Sequence, residues 1–213
     1  MRKATVIWLI ILIVFLAGCA VGNKHAYHNV DANIAAAGTS KVAVATHDQR
    51  NYVKNRNKQP NFVGLQRGGF GNPFDIKTVS GNALAQDFTE AVCRSLASKG
   101  FHTTLVIVDS SETSYTVKAD LTKTGANRLI LITLYEWKSD TYTNTALIYH
   151  VNLDVFDENG NVIAQNSING SDDLGGSVMN PPAHAKKVIP VAFKEKIESL
   201  LNYKDISEAL ESK

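Results

Sequence analysis

Few residues in this 213-residue chain have the types and spacing that chemistry needs. His47-Asp48 is the most suggestive pair: a histidine base beside a carboxylate suits a hydrolase, and the pair ends a β-branched run, where α/β sheets commonly hold ligands. Successive residues of a strand face opposite ways, so the two side chains meet only if the chain turns there, and a solvated strand end is the simpler reading. No Gly-x-Ser-x-Gly elbow accompanies them. Cys93 falls within a helical pattern rather than at a helix start, so it reads as a partly buried, inert thiol. His25 and His28 lie three residues apart with no third ligand nearby, a weak basis for a metal site. His102, His150 and His184 stand singly, and Asp157-Glu158 and Asp172-Asp173 fall in turns, where acids are ordinary. No catalytic residue, metal or cofactor is assigned.

Binding is better represented than catalysis. Residues 47–79 are long, polar and rich in Asn, Arg, Lys and Gly, and a structureless stretch of that length inside a domain is usually functional or disordered. Within it, Arg67, Gly68, Gly69, Phe70, Gly71, Asn72 and Phe74 form the candidate binding segment. The glycines permit positive φ, and Phe62, Phe70 and Phe74 can pin the segment down. The expectation is an ordered loop lying over a sheet or presenting a surface. The glycine spacing does not match a dinucleotide fingerprint, and no Gly-Lys-Ser or Gly-Lys-Thr follows to make a phosphate loop. Tyr135, Trp137, Tyr142 and Tyr149 form either an aromatic face or ordinary sheet packing.

The elements that must carry these residues can be read from periodicity. Residues 41–46 (Lys-Val-Ala-Val-Ala-Thr) suit a buried strand. A helix follows from Ser80, capped by Ser80 or Asn82, with Leu84, Phe88, Ala91, Val92, Ser95 and Leu96 on one face and Gly100 as its stop. Residues 101–108 suit a second strand, and 112–123 a short helix capped by Ser110 or Ser111 or, less consistently, an alternating strand. Residues 128–138 read as a central strand and 145–157 as a half-buried one. Asn159-Gly160 supplies the tight turn into a return strand over 161–169. Those three strands should form an antiparallel meander. Pro182 suits the first turn of a last helix, which Pro190 should kink or restart. The expected fold is α/β (α+β): a single mixed sheet of about five strands packed by two or three helices.

The N-terminus has signal order: basic Arg2 and Lys3, an apolar run over 4–17, then small residues. That run is too short for a secure membrane span, which needs about 20 apolar residues. Leu16-Ala17-Gly18-Cys19 resembles the lipobox of bacterial lipoproteins. The resemblance implies diacylation of the Cys19 sulfur, cleavage before Cys19 and acylation of the new amine. Ala20 rather than Asp after the cysteine implies, by analogy with enteric sorting, transfer to the outer membrane. Residues 1–18 are then the signal peptide, 19–40 a lipidated flexible tether, and 41–213 a single periplasmic domain. The whole chain has 22 basic and 20 acidic residues; Arg2 and Lys3 account for the difference, so residues 19–213 balance at 20 each. Without a basic excess nucleic acid is not expected as a partner, and membrane attachment rests on the acyl chains. With Cys19 lipidated, Cys93 has no intrachain partner.

The element order, together with the strand-then-long-loop opening at 42–48 and the Leu-Ala-Ser-Lys-Gly-Phe turn at 96–101, resembles the small α/β domain of YajG-type outer-membrane lipoproteins and the amino-terminal domain of TolB. That resemblance implies a periplasm-facing accessory domain that binds other envelope components; with the lipobox, Ala20 and the absence of a catalytic motif, the expected function is an outer-membrane-anchored, non-enzymatic binding or scaffolding lipoprotein. The alternatives are an activator of a cell-wall synthase and a hydrolase using His47 and Asp48.

Overall fold

A computed structural model describes residues 22–212. Cys19 and the signal segment therefore lie outside the described residues. In chain order the elements are β1 (Lys24–His25), β2 (Lys41–Asp48), α1 (Asn51–Lys54), β3 (Phe62–Arg67), β4 (Pro73–Thr78), α2 (Leu84–Ala97) and β5 (His102–Val106). Then follow α3 (Ser114–Lys123), β6 (Arg128–Thr141), β7 (Asn144–Asp157), β8 (Val162–Gly176), α4 (Pro181–Leu201) and α5 (Lys204–Glu211). The class is the expected mixed α/β, but the sheet has eight strands rather than about five, and five helices are described rather than two or three. The additional strands come from residues expected to be irregular.

β6 is the spine. Its 14 residues pair along one side with β7, which pairs in turn with β8, giving the expected antiparallel meander. Along its other side β6 has two parallel partners: residues 128–134 pair with β2, and 139–141 with β3. β5 extends the sheet beyond β2, and β4 and then β1 extend it beyond β3. The larger core lies on the face covered by α2, α4 and α5. At its centre Tyr27, Phe88, Trp137 and Phe193 pack edge to face, with ring centroids 4.7 to 6.3 Å apart. On the opposite face α3 buries Val117 and Leu121 against Ala43, Ala45, Leu129 and Leu131, so β2 and the start of β6 are covered on both sides.

Several local expectations are corrected. α2 begins at Leu84 without a side-chain cap; Ser80 donates instead to the Asp87 carboxylate at 2.7 Å. α3 is capped by Thr113, whose hydroxyl accepts from Thr116 N at 3.2 Å. α4 runs on through Pro190. The expected tether is packed from β1 onward: β1 joins the sheet, and His25, Tyr27, Ala32, Ile34 and Ala36 are buried. The extended stretch 31–37 has no strand partner, and side chains accept from four of its amides. Ala32 N donates to Ser95, Asn33 N to Glu198, Ala35 N to Asn202 and Ala37 N to Glu211.

Two buried titratable groups act in opposite directions on stability. Burial raises the Asp87 carboxyl to about 6 against the Ser80 bond, whereas burial and nearby Lys186 lower His25 to about 4. Between pH 4 and 6 folded Asp87 holds a proton that the unfolded chain has lost, so its contribution falls as pH rises. Folded His25 lacks a proton that the unfolded chain binds up to about pH 6.5, so its contribution rises with pH. Asp87→Asn removes only the falling part. Relative to the parent, the variant is expected to gain about 2–3 kcal/mol more at pH 7 than at pH 4, measured by denaturant titration at both values.

Candidate functional site

The structure does not bring His47 and Asp48 together as a dyad. Both Asp48 oxygens are held by Arg50, Oδ1 by Nε at 2.8 Å and Oδ2 by Nη2 at 2.6 Å. His47 Nε2 lies 2.6 Å from Gln49 Nε2, and burial lowers the His47 pKa against the opposing Glu112 backbone and carboxylate. Arg50 is fully buried. It also donates to the carbonyls of Pro60, Phe62 and Trp137 at 2.7 to 3.2 Å. Burial opposes its charge, but the Asp48 bonds outweigh that and raise its pKa. The pair occupies the place where β6 exchanges β2 for β3, and the guanidinium serves carbonyls near that junction. A cleft of about 520 Å³ opens beside it, lined by Lys54, Arg56 and Lys58 across from Asp109 and Glu112. This lining mixes both charges and points to no single ligand.

The candidate binding segment is a β-hairpin rather than a loop over the sheet. β3 and β4 pair antiparallel, and residues 68–72 turn between them, closed by Gly68 N to the Asn72 carbonyl at 2.9 Å and Gly71 N to the Gly68 carbonyl at 2.8 Å. Gly71 has φ +80°, a conformation costly for most side chains. Gly68 is needed for closeness: a Cβ there would lie 2.9 Å from Asn72 Oδ1 and 3.1 Å from Phe74 Cε2. Arg67 grips Asp140 of β6 with two bonds of 2.8 and 2.5 Å, fixing the hairpin to the spine. Phe74 folds back beside Gly68, while Phe70 projects from the turn and is 95% exposed.

Two other turns stand beside it. The β6–β7 turn carries Tyr142, whose hydroxyl donates to the Gly69 carbonyl at 3.3 Å. Thr143 of the same turn accepts from Ser177 N at 3.0 Å, which brings in the segment after β8 with Val178 (85% exposed) and Met179 (93% exposed). Sequence reasoning found the hairpin residues and Tyr142 but missed Val178 and Met179. Their signal was two consecutive apolar residues inside a Gly- and Pro-rich loop. The four proposed aromatics separate: Trp137 and Tyr149 are buried, while Tyr135 and Tyr142 are about half exposed. Burial raises the Cys93 thiol to about 12. Among the described residues no cluster of three metal-ligating side chains occurs, and no helix is long and apolar enough to cross a membrane.

Neither a protein-family model nor a curated protein sequence matches this chain. Solved structures do. A protein of Xanthomonas campestris assigned to the family DUF330 is similar with a TM-score of 0.53 and 14% identity, over 86% of this chain and 95% of that one. This is a likeness of fold. Weaker similarities are to the PelC dodecamer of Paraburkholderia phytofirmans (TM-score 0.40, 12% identity, 84% and 95% covered) and to a lipoprotein of Neisseria meningitidis (TM-score 0.30, 10% identity, 75% and 99% covered).

Proposed function

We propose that this chain is a YajG-type lipid-anchored binding component of the bacterial envelope, attached to the outer membrane through acyl chains on Cys19 and acting without catalysis. The observation that carries the reading is the hairpin tip. Phe70 is presented to solvent on a turn held by Arg67–Asp140 and Tyr142–Gly69, an arrangement that stabilises an exposed apolar contact rather than hiding it. The chemistry-bearing pair supports the same reading, since Asp48 is engaged by Arg50.

Two measurements test it. Mass spectrometry of the mature protein is expected to find Cys19 as the first residue, carrying lipid, and Cys19→Ala is expected to leave the outer-membrane fraction. An unmodified Cys19, or retention of Met1, overturns the anchor. Replacing residues 68–72 by Asn-Gly is expected to abolish envelope contacts at the tip while leaving the thermal transition in place, and unchanged contacts overturn the assignment of the surface.

A further inference from the structure

The geometry points to a bilayer surface as the partner of the hairpin tip, so that Phe70, Tyr142, Val178 and Met179 rest among lipids beside the anchor. The inference deepens the lipid-anchored reading and rests on it for the direction from which the membrane approaches. The first support is adjacency. Bonds between Tyr142 and Gly69 and between Ser177 and Thr143 join three turns into one end of the sheet, and each turn carries an exposed apolar side chain. Such tips shed water on a membrane without rearranging the core.

The second support is where the chain comes in. β1 runs parallel to β4, with Lys24 opposite Lys77. Pro73, the first residue of β4, lies at the tip, about 13 Å along the strand from Lys77. β1 therefore enters the sheet from the tip side at Asn23, Gly22 turns the chain there with φ +79°, and the five-residue separation keeps Cys19 within at most about 18 Å of Lys24. An acyl anchor on Cys19 thus has the reach to place the tip at the lipid surface.

Charge is the third support. Exposed Lys24 and Lys77 face each other across β1 and β4, and exposed Lys186 and Lys187 lie in the second turn of α4, with Lys186 near enough to His25 to depress its protonation. The acids at this end are engaged: Asp75 pairs with Lys58, Asp140 with Arg67 and Asp172 with Lys196, while Asp173 accepts from Gly175 N and Asn144. These lysines stand about 13 Å or more behind Pro73, so they favour the approach of this end to an anionic surface through the long-range field rather than by touching its headgroups.

The test uses full-length lipidated protein carrying Phe70→Trp, reconstituted in phosphatidylethanolamine–phosphatidylglycerol vesicles with and without brominated acyl chains. Trp137 is buried and serves as an internal constant, and Tyr115→Trp on α3, which packs over β2 away from the tip, is the exposed control. Brominated lipid is expected to quench the Phe70→Trp indole roughly twofold, as a side chain several ångströms into the headgroup boundary should be, and to leave the Tyr115→Trp indole unchanged. Equal quenching at the two positions overturns the inference. So does a signal from the Phe70→Trp indole that follows protein concentration rather than lipid, which assigns the tip to a second copy, or one that needs an added envelope protein. The anchor is read separately from the mass of the mature N-terminus. If Cys19 proves bare, the anchor fails, and the same comparison of Phe70→Trp and Tyr115→Trp in a Trp8→Phe background on added vesicles still decides the tip.

Discussion

Arg50→Ala is expected to cost about 3–5 kcal/mol, because it strands the buried Asp48 carboxylate and removes the donor for the Pro60, Phe62 and Trp137 carbonyls. For a domain of this size that lowers the thermal midpoint by roughly 10 °C. The cost comes mainly from what is left unpaired, so Arg50→Met combined with Asp48→Leu should be milder than Arg50→Ala alone, with a favourable coupling of about 1 kcal/mol or more. Calorimetry of the single and double variants checks both statements. A parent-like midpoint for Arg50→Ala would sink the view that this pair holds the junction where β6 changes partners.

Tyr27→Ala is expected to destabilise by a similar amount, about 3–5 kcal/mol, the usual cost of deleting a buried ring. Tyr27 is fully buried, and its ring meets Trp137 at 6.3 Å and Phe193 at 5.1 Å. Its hydroxyl and the Trp137 indole nitrogen are both buried without a hydrogen bond of good geometry. Tyr27→Phe should therefore be tolerated within about 1 kcal/mol or even stabilise, since it removes a desolvated hydroxyl and keeps the ring. Urea titration of the two variants separates packing from polarity. If residues 19–40 were only a spacer, neither substitution would move the midpoint.

Most of the candidate site was legible as residues but not as geometry. Glycines and phenylalanines at 67–74 marked a segment under constraint, and the structure turned it into a hairpin because β3 finds a backbone partner in the far half of β6. Gly64 is part of that fit: a Cβ there would stand 2.6 Å from the Ser139 carbonyl oxygen. The alternation of a strand was enough to separate His47 from Asp48. Arg50, which decides what Asp48 does, looked like one more polar residue at the start of a long loop, because burial of a guanidinium depends on carbonyls brought from elsewhere in the chain.

The elements with a period of their own were determined by sequence alone. Alternation over 145–157, the Asn159-Gly160 turn with Gly160 at φ +81°, and the apolar face of α2 specify the meander and its covering helix, since these signals are local. Tertiary structure decided residues 22–40 and the far end of the sheet. Ala32, Ile34 and Ala36 alternate inward, but alanine buries too little area to announce a strand, and four amides of that stretch are satisfied by Ser95, Glu198, Asn202 and Glu211, 63 to 174 residues away. Phe70, Tyr142 and Met179 likewise share one end only because β6 runs long enough for three separate turns to finish at the same level.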